Sequence, residues 1–268
     1  MEVAVLIAAF SEKDTVFACL RNLYGQVDAM KAEGIYNFTI YLVANEFKED
    51  LHEAFPDVIP IITDTTHYNQ AMRLAWERAA TKNYDFYLWL YDKLQLKEGA
   101  LATMMETSKF FGHKSIVAGS CMDSEKVLSY GGRNKSGKII TPDATIPVPC
   151  HTFDGAMVLV PKAVYNVLGN FDAHYESWFG DMDYGIRAYK EGIPRVVAPE
   201  ILGVCDRPFK VPAWRDSKLT LSQRFAALTS PDGPPPTEQF RYDCRSVGPF
   251  KAINHQISIF FKVLFARK

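Results

Sequence analysis

The sequence lacks the features that mark several large protein classes. It has no C-x-x-C pair, and no apolar run approaches the roughly 20 residues that span a bilayer. Its six histidines show no metal-ligand spacing. The five cysteines are Cys19, Cys121, Cys150, Cys205 and Cys244. Their odd number and wide spacing predict buried thiols in a reducing compartment.

An excess of charge of one sign is also missing, since the formal net charge is −1 at pH 7. The chain therefore has no overall field that attracts nucleic acid, and we expect no nucleic-acid partner. The first ten residues, MEVAVLIAAF, have no basic segment before their apolar residues and predict a core strand instead of a signal peptide. Together these absences indicate a cytoplasmic protein.

The apolar residues that are present predict an α/β fold. The chain has 268 residues and is 48% hydrophobic, which is enough to bury a sizeable core. In its first half, nearly continuous apolar runs such as EVAVLIAAF, FTIYLVAN and FYLWLY alternate with helical patterns. This alternation predicts βαβ units in a mixed, mostly parallel sheet flanked by helices. Because ligands bind beyond the carboxyl ends of such strands, Phe10, Asn45 and Asp92 are candidate site residues.

The second half of the chain is less regular. GAMVLVPKAVYNVLGNF predicts a strand that turns into a helix at Pro161, and GDMDYGIRAYKEG predicts a helix that closes with Gly192. Regular structure is expected to fade from Cys205 onward, with TSPDGPPPTEQF as a linker. We therefore expect a domain over residues 1–206 and a C-terminal extension over residues 207–268 that ends in a helix.

Two short motifs carry carboxylates suited to chemistry. In GDMDYG, Asp181 and Asp183 stand two residues apart at a helix start, so they should point to different sides and not share one task. Aromatic residues before Asp181 would remove water from its carboxylate and raise its pKa towards that of a general base. The alternative is that one of the two aspartates caps the helix or stabilises its first turn. In LWLYDKL, Asp92 follows a strand and is either a metal ligand or a solvated charge.

The order of these segments resembles that of the family 2 glycosyltransferases, which have the GT-A fold, and in particular bacterial rhamnosyl- and galactosyltransferase-like enzymes of surface polysaccharide synthesis. The resemblance covers residues 2–206 and rests on HYNQAMRLAWERA, YDFYLWLYDK, TFDGAMVLVPKAVYNVLGNFD, GDMDYGIRAYKEG and ILGVC. Its most specific segment is GDMDYGIRA. It implies an inverting transfer of a hexosyl or rhamnosyl group from a nucleoside diphosphate sugar to a glycan or lipid-linked glycan acceptor.

The resemblance also implies roles for individual residues. Asp181 matches the general base that takes a proton from the acceptor hydroxyl, and Asp92 matches the first carboxylate of a metal and diphosphate motif. Trp178 and Asp183 are expected beside the acceptor. The residues expected to line the nucleotide-sugar site are Ala9, Phe10, Asn45, Asn69, Asp92, Lys93, Asp154 and Gly155.

Some positions depart from the family pattern. Lys93 stands where a second carboxylate is usual, Ala44 where an aspartate is usual, and Cys205 with Asp206 where some members have a histidine. The departures count against a Mn²⁺ or Mg²⁺ ion at Asp92.

The leaving diphosphate needs positive charge, and a lysine supplies about as much as a cation that is half neutralised by one carboxylate. We therefore expect Lys93, with Arg133 or Lys135, to replace the metal ion.

Other functional classes are open at this point. Tyr91, Lys93 and Ala44 favour a catalytically silent relative that binds a nucleotide-sugar or scaffolds a glycan assembly. A sugar nucleotidyltransferase shares the broad fold but usually carries a glycine-rich loop after the first strand, and AAFSEKDT has no glycine.

The C-terminal stretch FKAINHQISIFFKVLFARK combines apolar side chains with Lys251, Lys262, Arg267 and Lys268. One interpretation is a helix that lies on an anionic membrane surface, which would place the protein at the inner face of the membrane. The other is a helix that packs on the catalytic domain or on a partner subunit.

Overall fold

The computed structural model describes residues 1–32, 34–45, 48–207, 212–230 and 233–265. The strands are β1 (Glu2–Ala9), β2 (Asn37–Ala44), β3 (Ile59–Ile62), β4 (Phe86–Tyr91), β5 (Gln95–Leu96), β6 (Ile116–Met122), β7 (Leu128–Tyr130), β8 (Gly132–Arg133), β9 (Val148–Pro149), β10 (Thr152–Phe153), β11 (Met157–Pro161) and β12 (Arg195–Val204). The helices are α1 (Lys13–Ala32), α2 (Lys48–Ala54), α3 (Tyr68–Ala80), α4 (Ala100–Phe110), α5 (Lys162–Leu168), α6 (Gly180–Lys190), α7 (Leu221–Leu228), α8 (Pro236–Ser246) and α9 (Pro249–Leu264).

The central strands follow the predicted βαβ pattern. In the order β3–β2–β1–β4 all neighbours are parallel, and Val5 of β1 lies opposite Ile40 of β2 and Leu88 of β4. β11 then runs antiparallel between β4 and β6, and β12 is parallel to β6. The mixed, mostly parallel sheet with flanking helices is therefore confirmed.

Both faces of this sheet are buried, which explains why its strands are nearly continuous apolar runs. Val5 of β1 faces the core formed with α1 and α4, whereas Leu6 faces the core formed with α3 and α6. On that second face Trp76 of α3 meets Trp89 of β4 edge to face, with ring centroids 5.1 Å apart. The cysteines are free thiols, and all but Cys244 are buried.

The topology brings several chain segments to one edge of the sheet. The parallel strands β1, β2 and β4 all end there, and antiparallel β11 begins there, with Met157 opposite Leu90. The backbone N–H of Tyr91 donates to the carbonyl oxygen of Ala156 at 3.0 Å. This bond holds the segment before β11 against the end of β4, so the candidate residues after β1, β2 and β4 share an edge with Asp154 and Gly155.

The C-terminal extension is more ordered than the sequence suggested. The expectation that regular structure fades after Cys205 is wrong, because α7, α8 and α9 follow. The proline run predicted as a linker ends at Pro236, the first residue of α8, where the fixed φ of proline favours helix initiation. The terminal helix is confirmed as α9. No described helix is long and apolar enough to cross a membrane.

Candidate active site

Asp92 links the end of β4 to the end of β1 by hydrogen bonds. Its Oδ2 accepts hydrogen bonds from the backbone N–H groups of Phe10 and Ser11, both at 2.7 Å. The residue is only 8% exposed, so the interpretation as a solvated strand-end charge is wrong. Asp92 instead anchors the loop after β1 to the end of β4, and this loop was expected to contact the nucleotide.

The other residues predicted for the nucleotide lie at the same edge. Ala9 is buried at the end of β1, opposite Ala44 of β2, and Phe10 is exposed just beyond it. Asn45 is exposed immediately after β2. The loops after β1 and β2 therefore present one apolar and one amide side chain to solvent at the rim of the site.

Asp181 lies in the first turn of α6, and both of its carboxylate oxygens accept backbone hydrogen bonds. Gly155 N–H donates to Oδ2 at 2.6 Å, and Met182 N–H donates to Oδ1 at 2.7 Å. A Cβ at Gly155 would lie 3.1 Å from the Asp181 carboxylate, so a side chain at this position would displace Asp181 by a few tenths of an ångström. The segment TFDGA and the helix GDMDYG are thus brought together as the resemblance implied.

A second close approach positions the start of α6. A Cβ at Gly180 would lie 2.6 Å from the side chain of Asn69, so glycine is needed there. Asn69 is buried, and its Nδ2 donates to the carbonyl oxygen of Trp178 at 2.9 Å. Its described contact is therefore with the segment that precedes α6, while Trp178 itself is partly exposed.

The surroundings of Asp181 suit a general base. Burial raises the pKa of Asp181 to about 6, and the charge of Asp154 adds to the increase. The backbone N–H groups of Met182 and Gly155 and the charge of Arg133 act in the opposite direction. A carboxyl group with a pKa near 6 is largely ionised at neutral pH and is still basic enough to accept a proton from a hydroxyl group in a transition state.

Asp154 is the centre of a cluster of positive charge. Its Oδ1 accepts a hydrogen bond from Arg133 Nε at 2.8 Å, and Arg207 approaches its Oδ2 at 3.8 Å. Burial raises the pKa of Asp154, and both arginines oppose that increase. The Arg207 guanidinium also lies over the ring of Tyr130, 5.2 Å from its centroid. Two arginines therefore face the single carboxylate of Asp154.

Lys93 lies next to this cluster, in the turn that follows β4, and is partly buried. Its charge lowers the pKa of the Cys205 thiol, although burial raises that pKa more and brings it to about 12. Hydrogen bonds from Ser124 lower the pKa of Asp206, and the charge of Lys93 makes a smaller contribution in the same direction. Lys135 is exposed in a separate turn, so Arg133 is the member of the expected pair that lies at the site.

A row of tyrosines lines the same region. Tyr68 of α3 meets Tyr91 edge to face at 5.2 Å, and Tyr91 meets Tyr130 in the same way at 5.3 Å. Burial, followed by the charge of neighbouring groups that include Asp181, holds the pKa values of Tyr68 and Tyr91 well above their usual range. Within the described part of the chain, the Tyr68 hydroxyl is buried with no hydrogen-bond partner.

The described residues do not fit a divalent cation. Among them, no three side chains of histidine, cysteine, aspartate or glutamate come together as a metal site. The two carboxylates nearest the expected position are already engaged: Asp92 by backbone N–H groups, and Asp154 by Arg133 and Arg207. Hard cations need several oxygen ligands, and the residue that follows Asp92 is a lysine.

Asp183 has a structural environment although it is only two residues from Asp181. It is 0% exposed, and Arg245 Nη1 and Arg187 Nε donate to its carboxylate at 2.7 and 3.1 Å. The prediction that the two aspartates point to different sides is therefore confirmed, and their separate tasks stay a prediction. The acceptor contact predicted for Asp183 conflicts with this complete burial, because no acceptor reaches its side chain.

Helix α8 holds the segments on both sides of Asp181. Glu238 accepts hydrogen bonds from the backbone N–H groups of Glu176 and Trp178, at 3.1 and 3.0 Å. Arg245 bridges Asp183 and Asp172, the latter at 2.9 Å. Glu238 and Arg245 share one face of α8 with Tyr242, because the three residues are spaced i, i+4 and i+7.

Tyr242, on the same face of α8, contacts the residue that caps α6. Its ring stacks on Phe179 with centroids 5.1 Å apart and an interplanar angle of 15°. Phe179 has a positive φ of 63° and caps α6 directly before Gly180 and Asp181. Burial raises the pKa of Tyr242, and the charge of Asp181 contributes to that increase. Sequence reasoning missed α8 altogether, and the one available signal was the spacing of Glu238, Tyr242 and Arg245.

Comparison with solved structures identifies the architecture. TarS of S. aureus, residues 1–349, superposes with a TM-score of 0.56 at 11% identity, over 98% of this chain and 71% of that chain. GalNAc-T7, solved with UDP, GalNAc and Mn²⁺, superposes with a TM-score of 0.62 at 12% identity, over 98% of this chain and 54% of that chain. The chain has the GT-A fold. No family model matches it, and no curated protein matches it in sequence, so the assignment to family 2 stays a prediction.

Proposed function

We propose that the protein is an inverting glycosyltransferase that moves a sugar from a nucleoside diphosphate to a hydroxyl group of a glycan or lipid-linked glycan. The observation that carries the proposal is the environment of Asp181, whose pKa is raised to about 6 and whose carboxylate is oriented by Gly155 and Met182. The GT-A fold of both solved neighbours supports it, as does the UDP bound to one of them.

The reaction uses Asp181 as the general base. As the acceptor oxygen attacks the anomeric carbon, its proton passes to an oxygen of Asp181. The bond between the anomeric carbon and the diphosphate breaks with its electron pair on the diphosphate. Because attack and departure occur on opposite faces of the sugar, the configuration at the anomeric carbon is inverted. Trp178, which is partly exposed just before α6, contacts the acceptor in this proposal.

Positive side chains stabilise the departing diphosphate in this proposal. Arg133 and Arg207 lie beside the carboxylate of Asp154, and Lys93 directly follows Asp92, at the edge of the sheet where nucleotides bind in α/β folds. Charges fixed in place before the reaction stabilise a developing anion without reorganisation of solvent. A divalent cation is therefore not required, in contrast to the manganese present with the solved neighbour.

The setting follows the resemblance. We propose that the enzyme acts on the cytoplasmic side of a bacterial cell, in surface polysaccharide synthesis, and that it transfers a hexosyl or rhamnosyl group. The division into a catalytic domain over residues 1–206 and an extension over residues 207–268 is part of the same proposal, although α8 makes the extension a contributor to the site.

The test combines nucleotide binding with turnover. Purified protein is heated with UDP, dTDP or GDP, each with Mn²⁺ or with EDTA, since binding to the folded state raises the melting temperature. Release of the nucleotide from the matching sugar donor is then measured with and without glycan acceptors. We expect one nucleotide to stabilise the protein in EDTA and its sugar donor to be turned over. Turnover that depends strictly on Mn²⁺ would overturn the metal-free donor site.

A catalytically silent protein is the second candidate. It is favoured by the engagement of Asp92 and Asp154 in contacts within the protein itself. Nucleotide binding with no release of nucleotide from any donor, in the presence of acceptors, would favour this candidate. Absence of binding to every nucleotide would exclude the glycosyltransferase and favour a silent protein that scaffolds a glycan assembly.

A further inference from the structure

Helix α9 carries two apolar faces, and only one of them is covered. Ala252, Ile259 and Val263 are buried, and the latter two pack with Leu228 of α7. The opposite face is exposed along the whole helix, from 84% exposure at Phe250 to 70% at Phe265 just beyond its end. The exposed apolar residues are Phe250, Ile253, Ile257, Phe260, Phe261 and Phe265.

These side chains form one continuous surface. Positions 250, 253, 257, 260, 261 and 265 follow the i, i+3, i+4 spacing of a single helix face. The rings of Phe260, Phe261 and Phe265 follow one another with centroids 6.2 Å apart. Soluble proteins rarely expose a contiguous apolar surface of this kind unless it contacts a membrane or another protein.

The charge beside this face is positive. Lys251 and Lys262 are both exposed, and because they are about three helical turns apart they lie on the same flank. The sequence from residue 244 to 268 contains no aspartate or glutamate. Arg267 and Lys268, which were expected to add to this charge, lie outside the described residues.

The distribution of charge distinguishes two occupants. A symmetric dimer would bring the same face of a second copy against this one, and with it the same lysines, with no acidic side chain in the segment to pair with them. An anionic lipid surface offers both an apolar interior and phosphate groups. Helices with aromatic and aliphatic residues on one face and lysines beside it bind such surfaces.

We propose that α9 docks the protein onto an anionic phospholipid bilayer, with its phenylalanines and isoleucines among the acyl chains and Lys251 and Lys262 at the phosphates. Only Val247 and Gly248 separate α9 from α8, which contacts the segments around Asp181. Docking would therefore hold the candidate active site close to the membrane surface. That last consequence rests on the proposed glycosyl transfer, whereas the docking does not.

The experiment is sedimentation of the full-length protein with vesicles of phosphatidylcholine alone or with about one third phosphatidylglycerol. We expect binding to the anionic vesicles that decreases as salt is raised. The variant with Ile257→Ser and Phe261→Ser should bind at least about 10-fold more weakly. Lys251→Glu with Lys262→Glu should lose at least about fivefold per position. Phe110→Ser, which removes an even more exposed phenylalanine from α4 (77% exposed, against 53% for Phe261), is the control and should bind as the parent does.

Three results would overturn the proposal. The first is equally negligible binding of the parent protein to both kinds of vesicle. The second is equal binding to neutral and anionic vesicles, which would remove the role of the lysines. The third is a dimer in light scattering that the serine substitutions dissociate, which would assign the face to a second copy of the chain. Circular dichroism of each variant confirms that it is folded, and nucleotide binding, which does not involve α9, separates a failure of docking from a failure of the proposed function.

Discussion

Asp181 and Asp183 stand on the same turn of the same helix and face two different regions of the molecule. Asp181 faces the edge of the sheet, its hydrogen-bond donors among the described residues are backbone N–H groups, and its pKa is raised to about 6. Asp183 faces the C-terminal extension, where Arg187 and Arg245 enclose it completely. The partners of a carboxylate, and not its position in a motif, thus decide whether it serves as a base or as a structural ion pair.

The largest effect is expected from Asp181→Asn. The substitution keeps the shape of the side chain and removes its basicity, so we expect kcat to fall at least about 100-fold while nucleotide affinity stays the same. Asparagine satisfies one of the two backbone donors, so the protein should remain folded. Steady-state kinetics and calorimetric titration with the nucleotide measure the two quantities. Exposed Asp64→Asn serves as the control, and turnover within threefold of the parent in Asp181→Asn would place the base elsewhere.

Arg245→Ala tests the structural ion pair of Asp183. It leaves Asp183 buried with one arginine instead of two and also releases Asp172. Removal of one partner from a buried ion pair costs about 3 kcal/mol or more of the free energy of unfolding. Urea denaturation should show this loss, and Arg241→Ala, at an exposed position of α8, should change stability by less than about 0.5 kcal/mol. Equal stability of the two variants would contradict the structural role of Asp183.

The smallest effect is expected at the stack between Tyr242 and Phe179. Tyr242→Leu keeps an apolar side chain but loses the ring contact beside the cap of α6, at a cost of about 1 kcal/mol. If that contact positions Asp181, kcat should fall about fivefold with unchanged nucleotide affinity. Tyr242→Phe retains the stack and should match the parent enzyme. A loss in Tyr242→Phe as large as in Tyr242→Leu would show that the hydroxyl group matters instead of the ring.

The fold could be predicted from the sequence because its signals are local. Strands such as EVAVLIAA and FYLWLY are buried on both faces, so each reads as an apolar run without reference to its neighbours. Parallel connections then place the ends of β1, β2 and β4 at one edge, which located Asp92 and the residues after β1. Asp181 became a candidate in a different way: the helix start alone also allowed a helix cap, and the resemblance to family 2 glycosyltransferases implied its role as a base.

The rest of the site depends on contacts between distant positions. The partners of Asp92 are backbone N–H groups more than 80 residues away, which no side-chain pattern reveals. Arg245 reaches Asp183 across 62 residues, so burial of that carboxylate was not visible in GDMDYG. The proline run before α8 predicted a linker because proline is common in both settings, and only the following helical residues distinguish them.

The pH dependence of kcat/KM between pH 4.5 and 8 tests the central claim most directly. Only the ionised form of Asp181 accepts a proton, and its pKa in the folded protein is raised to about 6. We predict that kcat/KM is level above this pH and falls about tenfold for each pH unit below it. A profile that stays level down to pH 4.5 would contradict the account, because the group that takes the proton would then have an ordinary carboxyl pKa or would not be a carboxylate.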